Sequence, residues 1–273
     1  MRIEVQRATR FTRPGTDILV LCYHAVSPTW GIGSSVTPAD FERQLAWLVA
    51  NGWQGSTFRD AVLNHPTGKT VVVSFDDAFA SVFDLAYPIL SSLGLPATVF
   101  APTSFMSCRQ PLMWQGIEHW RDGAPTEVDC MSWDDLGVLA EAGWEIGSHT
   151  RTHPHLTELG DEALQTELAE SRADVMQHLK QPCQTIAYPY GEVDRRVAGF
   201  AAAAGYAAGA ALNRWLPDLG LLQWPRVGVY RTDAMWRFRA KVSRTTRRLR
   251  ASTLWSAQCM SSSPVTAPDR TSP

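Results

Sequence analysis

Three short segments hold residue types suited to hydrolytic chemistry. At the end of the apolar run Val-Val-Val-Ser-Phe stand two adjacent carboxylates, Asp76 and Asp77. Two acids side by side repel unless a cation or a proton separates their charges; a helix N-cap with a solvated neighbour is the plainer reading of the same pair. Further on, Trp-Glu-Ile-Gly-Ser runs straight into His149-Thr150-Arg151-Thr152-His153, two imidazoles that would share a face on a helical turn. Neutral imidazole suits zinc and similar divalent ions, and a catalytic site commonly takes three protein donors and leaves a fourth position for water. Two His and one Asp meet that count. His155, just past Pro154, is an alternative donor, and a pair of ordinary surface histidines is the alternative to a metal site. The third segment is Ala187-Tyr188-Pro189-Tyr190-Gly191. There proline and glycine force a turn whose backbone N–H groups suit an oxyanion, or simply lead a strand into a helix.

Each of these segments follows a short apolar or β-branched run, and such runs alternate with helical patterns along the chain. Strands are expected at Ile18–Tyr23, Thr70–Phe75, Ala97–Phe100, Trp144–Ser148, Thr185–Ala187, Tyr206–Leu212 and Val227–Val229. Thr37-Pro38-Ala39-Asp40 reads as an N-cap with proline at the first helical position. Phe41, Leu45, Leu48 and Val49 then recur at helical spacing. Further helices are expected at 80–92, 132–142, 161–179 and 194–204. The alternation predicts an α/β architecture of parallel strands: a single-domain, distorted or incomplete (β/α) barrel of about seven strands, with chemistry at the strand ends.

The boundaries expected are an N-terminal extension over 1–16, a catalytic domain over 17–235 and a tail over 236–273. Lys and Arg total 25 against 27 Asp and Glu, a balance that gives no drive towards nucleic acid. The charge is segregated, however: residues 237–273 hold eight basic residues and one acid. Within them Arg237, Arg239, Lys241, Arg244, Arg247, Arg248 and Arg250 accompany Phe238, Val242, Thr245 and Leu249 at helical spacing. That pattern fits either a basic amphipathic helix over 237–250 for an anionic membrane surface or a solvated basic tail with no partner, followed by a disordered Ser-, Thr- and Pro-rich end. Five widely spaced cysteines match neither a disulfide framework nor a CxxC zinc motif, so reduced thiols are expected. No apolar stretch reads as a signal peptide or a membrane span, which predicts a cytoplasmic protein, peripheral to the membrane at most.

Taken together, the three segments resemble the motifs of the polysaccharide deacetylases, carbohydrate esterase family four. Ser-Phe-Asp-Asp-Ala is similar to that family's first motif, His-Thr-Arg-Thr-His to its second and Ala-Tyr-Pro-Tyr-Gly to its third, and the approach WDDLGVLAEAGWEIGSHT is also similar. The resemblance covers residues 17 to 230. It implies Asp77, His149 and His153 as metal ligands, Asp76 as catalytic base and the Tyr190 N–H as oxyanion donor. Two positions depart from the pattern: Ala78 replaces the usual glycine, and Ala187 stands where many members carry an arginine that holds the catalytic aspartate. Arg226, in Trp-Pro-Arg-Val-Gly-Val, is the candidate to restore that charge. The family's late Leu-x-His motif, source of a general acid, has no counterpart here, since no histidine follows His178. Cys22-Tyr23-His24-Ala25-Val26 resembles the Tyr-His-x-Val segment of a permuted subgroup, which makes His24 the expected acid.

The activity so implied is removal of the N-acetyl group from an amino sugar of a glycan or lipid-linked precursor. Zinc is the expected ion, with cobalt, nickel or iron also suited to the donor set. Pro189, Trp114 and Trp133 are the expected substrate contacts, and Trp120 is a further candidate. The competing readings are a hydrolase of a non-sugar or cyclic amide on the same fold, and an inactive carbohydrate-binding relative.

Overall fold

The computed structural model describes residues 15–114, 116–124, 126–212 and 219–250. The expected extension up to residue 14 and the Ser-, Thr- and Pro-rich end past residue 250 lie outside the described residues. The strands are β1 (Thr16–Tyr23), β2 (Ala25–Val26), β3 (Ser35–Val36), β4 (Gln54–Ser56), β5 (Gly68–Phe75), β6 (Ala97–Ala101), β7 (Glu145–Ser148), β8 (Thr185–Ala187), β9 (Ala208–Ala211), β10 (Trp224–Pro225) and β11 (Val227–Gly228). Strands β2 and β3 pair with each other. The rest form one parallel sheet in the order β10-β9-β8-β7-β6-β5-β1-β11, with β4 beside Thr70–Val72 of β5.

Strands β10 and β11 are consecutive in the chain, separated only by Arg226. One pairs with β9 and the other with β1, so a single stretch draws the two sheet edges together into a nearly closed, single-domain barrel with eight strands around it. Two-residue strands are too short for periodicity to register, which is why the seam reads from sequence as one strand at Val227–Val229.

Side chains alternate across the barrel wall with the period of two that a strand imposes. Leu19, Leu21 and Tyr23 of β1 and Val71, Val73 and Phe75 of β5 join the outer core beneath the helices. Val20, Val72, Phe100, Ala187, Ala208, Ala210 and Trp224 form a separate inner core. Gly147 is required on the inner face, because a Cβ there would lie 2.7 Å from the Phe100 ring and 2.8 Å from Thr185 Oγ1. The same alternation brings Cys22, Ser74, Asp76, His149 and Arg226 inward at the strands' C-terminal ends, one step above that core.

The helices are α1 (Pro38–Ala50), α2 (Phe58–Asn64), α3 (Tyr87–Ser92), α4 (Glu118–Gly123), α5 (Trp133–Glu141), α6 (Asp161–Leu179), α7 (Arg195–Ala204), α8 (Met235–Val242) and α9 (Arg244–Arg250). Helix α1 starts as read, with Thr37 accepting from Asp40 N and Pro38 in the first turn. The helix expected over 80–92 is divided: a wide π-type turn at Val82–Ala86 precedes α3, and Pro88 sits in the first turn of α3, where its missing N–H costs no bond. Helix α2, not foreseen from sequence, plugs the barrel floor with Phe58, Ala61 and Val62. Its N-terminus is met by the buried Glu145 carboxylate, which accepts from Arg59 N at 2.7 Å.

The basic segment is not a free tail over 236–250. Phe238 and Val242 of α8 are buried, and Phe238 lies edge-on against Trp47 of α1 at 6.4 Å. Lys241 pairs with buried Asp233 and donates to the Gly228 carbonyl at 3.1 Å, while Arg247 donates to Asp17 Oδ1 at 2.7 Å. Phe238 and Val242, the first half of the stripe expected to enter lipid, therefore face the barrel, and α8 packs on the domain past the expected boundary at residue 235. Among the described residues no helix is long and apolar enough to cross a membrane.

Candidate active site

The site sits where β1, β5, β7, β8 and the β10–β11 seam end. Asp76 follows β5, and its N–H donates to the Tyr23 carbonyl at 3.0 Å, tying it to the end of β1. Its carboxylate receives a two-pronged bond from Arg226: Nη1 to Oδ1 at 2.6 Å and Nη2 to Oδ2 at 2.7 Å. Arg226 Nη1 also donates to Ser74 Oγ at 3.2 Å, and Ser74 Oγ donates to the Leu21 carbonyl at 2.7 Å. Burial alone would raise the Asp76 pKa, but the Arg226 guanidinium and then His149 outweigh it and hold the carboxyl below the usual range. The cation missing at Ala187 thus has a counterpart on the seam.

Asp77 takes a left-handed backbone, φ 70°, which turns its carboxylate towards the histidine pair. Its Oδ1 lies 3.3 Å from His149 Nε2 and 3.4 Å from His153 Nε2, and this buried oxygen has no hydrogen-bond partner. N–H···O bonds cluster near 2.9–3.0 Å. Donors on a tetrahedral ion with bonds of roughly 2.0–2.1 Å stand about 3.3 Å apart, which is the spacing found. His149 Nδ1 is 2.8 Å from the Ala187 carbonyl, a bond that directs Nε2 at Asp77. An anionic oxygen and two imidazole nitrogens, all within 4.8 Å of one another, fit a divalent ion of the zinc type.

The histidine segment is not helical, contrary to one way of bringing the pair together. Thr150 (φ 67°) and His153 (φ 62°) are left-handed, and the loop between is clamped from α6 by Glu167. Glu167 Oε2 accepts from Arg151 N at 2.8 Å and Thr152 N at 2.9 Å, and Oε1 accepts from Thr152 Oγ1 at 2.6 Å. Five of the seven described non-glycine residues with positive φ, Asp77, Ala78, Thr150, His153 and Tyr190, lie in the three motifs. Each such backbone costs about 1–2 kcal/mol; strain of this kind persists where the surroundings over-determine it, as they do at functional sites.

His24, half-buried just past β1, comes to the same place: its ring, the Cys22 thiol and the Asp76 carboxylate have donor atoms within 4.8 Å of one another. Tyr190 (φ 59°) occupies the turn after β8 and sets its ring edge-on to His153 at 4.8 Å. Pro189, buried in that turn, shapes it by accepting from Glu192 N at 3.1 Å. Trp114 stacks on the His153 ring at 4.2 Å.

Three other readings change. Trp133 stacks on His178 of α6, ring on ring at 4.3 Å, and Trp120 packs edge-on to Trp30 at 5.9 Å, whereas Trp114 is the one of the three that stacks on His153. His155 stacks on Tyr190 at 3.8 Å and bonds Glu192 at 3.0 Å, which directs it away from the ligand set. Sequence reasoning missed Ser74, Cys22 and Glu167. The first two were findable, since each lies two residues before a candidate, Asp76 or His24, on the same strand face. Glu167 carried no local signal, because only the fold brings α6 to the loop.

The family model for polysaccharide deacetylases matches residues 64–209, more than half of the chain. Among curated proteins, YxkH of Bacillus subtilis, provisionally named a polysaccharide deacetylase, is 28% identical over 203 residues, covering 72% of this chain and 65% of that protein. Poly-beta-1,6-N-acetyl-D-glucosamine N-deacetylase of Staphylococcus aureus is 27% identical over 170 residues, 58% of this chain and 54% of that protein. The chain therefore spans between about half and two thirds of the length of these relatives. Among solved structures, the Streptococcus pyogenes deacetylase PplD in complex with acetate superposes with a TM-score of 0.69 at 24% identity, covering 83% of this chain and 98% of that one, and so shares the fold.

Proposed function

The chain belongs to the polysaccharide deacetylase family, and on that premise we propose that it removes the N-acetyl group from an N-acetylglucosamine-type unit of a poly- or oligosaccharide, releasing acetate. One observation carries this reading: the Asp77, His149 and His153 donors converge beside an Arg226-held Asp76 and a half-buried His24. An amide hydrolase needs a place for each of three things, namely an activated water, an oxyanion and a proton for the amine.

A divalent ion held by Asp77, His149 and His153, zinc first and cobalt, nickel or iron next, would supply Lewis acidity, making water acidic near neutral pH and drawing charge from the acetyl carbonyl. Asp76 takes the proton of the attacking water on a carboxylate oxygen. Arg226, gripping both Asp76 oxygens, keeps that group ionised and aimed. The Tyr190 N–H offers a donor to the oxyanion. His24 then gives its proton to the amine nitrogen as the C–N bond breaks. Trp114 and the Tyr190 ring wall the space above His153 with flat apolar surface, which suits a pyranose face.

The Staphylococcus aureus relative makes a β-1,6-linked N-acetylglucosamine oligomer the first substrate to try. Acetate release is compared across that oligomer, a β-1,4-linked one and a panel of cyclic amides. Release from a sugar supports the proposal; ring opening of a cyclic amide, with every N-acetyl sugar inert, rejects it.

A further inference from the structure

The geometry points to a second cation site, built from Cys22, His24 and Asp76, which takes a thiolate-seeking divalent ion when that ion is in excess and shuts the enzyme down. The inference rests on the roles proposed above for Asp76 and His24. The three side chains offer a sulfur, a nitrogen and an oxygen within 4.8 Å of one another, none of them shared with the Asp77 cluster. Cys22 Sγ donates to Asp76 Oδ2 at 3.5 Å, and the proton of that bond is the one an ion would replace. An ion with a bond of about 2.3 Å to sulfur and about 2.0 Å to oxygen, at a tetrahedral angle, sets those donors about 3.5 Å apart. His24 Nδ1 is buried with no hydrogen-bond partner, so a coordinating nitrogen is present and unused on that ring. Cys22 is on β1 and points inward by the same alternation that places Asp76, so neither donor must move to a new face.

Charge decides the order of filling. Arg226 already grips Asp76, and a cation at the Asp77 cluster would add to its repulsion of a second one. Binding at Cys22 replaces the thiol proton, which leaves to solvent as the sulfur–metal bond forms, and this offsets one unit of the incoming charge. The second ion is therefore the weaker one and enters after the Asp77, His149 and His153 set is filled. When it does, it occupies the proposed acid and the proposed base together. Activity should rise with the first equivalent of ion and fall with excess.

Cobalt(II) reads the two sites separately, because only the second contains sulfur and gives a thiolate charge-transfer band in the ultraviolet. Full-length protein carrying Cys108→Ser and Cys259→Ser, to reduce the number of competing thiols, is stripped with chelator and titrated with Co2+ while absorbance and acetate release are followed. The first equivalent should restore turnover without the band. Further Co2+ should bring the band and lower turnover by roughly 10²-fold at saturation, the scale of losing an acid or a base. In Cys22→Ser, excess Co2+ should bring no band, and turnover with and without excess should be the same. A band with the first equivalent overturns the proposal, as does an undiminished response to excess Co2+ in Cys22→Ser. The band needs no turnover, so a protein inert towards every N-acetyl sugar but still showing the two-stage titration would fail the proposed function while supporting the second site.

Discussion

At the scale of single residues the site separates holding an ion from moving a proton. Asp77→Ala, His149→Ala or His153→Ala should each leave purified protein with little bound metal, because two donors from the remaining set are too few for a tight site. Asp76→Asn should keep the metal and lower kcat by roughly 10²- to 10⁴-fold, the span for a proton-transfer group; elemental analysis beside kinetics tells the two outcomes apart, and a metal-free Asp76→Asn protein would reverse the roles of the neighbours. Arg226 gives a pH test. With the guanidinium in place, Asp76 is held below the ordinary carboxylate range and stays ionised at neutral pH. In Arg226→Leu the burial that favours the neutral acid is left unopposed, so the acidic limb of the kcat/KM profile should move to higher pH. A limb that stays where it was would mean that Asp76 is not the group titrating.

At the scale of elements the motifs are loops held in costly shapes by their neighbours. Ala78, φ 53°, is buried where the family pattern has glycine, so Ala78→Gly should relieve left-handed strain and raise stability by about 1 kcal/mol, seen as a higher Tm. A lower Tm would show that the Ala78 methyl contributes more by packing than it costs in backbone strain. Glu167→Ala should strip the histidine loop of its clamp, removing three part-buried hydrogen bonds to a carboxylate at a cost of about 1–3 kcal/mol, and should let metal dissociate on dialysis. These elements also show what was legible in the sequence. The strands that matter, β5 and β7, announced themselves because Val71–Phe75 and Ile146 lead straight into the acid pair and the histidines, and Thr185–Ala187 and Asp161–Leu179 match the expected β8 and helix at both ends. What stayed hidden was non-local. Arg226 was a candidate by charge alone, and only barrel closure brings it onto Asp76. The left-handed turns left no pattern either, since Asp77, Ala78, Thr150 and Tyr190 are not residues that advertise positive φ as glycine does. Trp133 and Trp114 look alike on paper, and α6 claims one of them.

At the scale of the whole molecule the C-terminal helices brace the seam that closes the barrel. Strand β11 pairs with β1 at only two positions, and Lys241 of α8 reaches back to the Gly228 carbonyl beside that seam while Asp233 receives Gln44 and, through it, Tyr23. Residues 237–250, which read from sequence as a tail outside the catalytic domain, thus support it in the structure. Truncation after Trp236 removes Phe238 from its pocket, worth about 3–5 kcal/mol, and leaves the buried Asp233 carboxylate without Lys241, worth a similar amount. The shortened protein should melt far below the full chain and lose activity with it, and an unchanged Tm would show that the clasp is ornamental. The central claim, hydrolysis of an N-acetyl sugar by an ion-dependent Asp77, His149 and His153 centre, has one most direct measurement. Chelator-stripped full-length protein is titrated with Zn2+ against a β-1,6-linked N-acetylglucosamine oligomer, and acetate is counted. Turnover should be absent without metal, reach its maximum near one equivalent and never appear in His149→Ala. Acetate released at full rate by the stripped protein, or by His149→Ala, would contradict it.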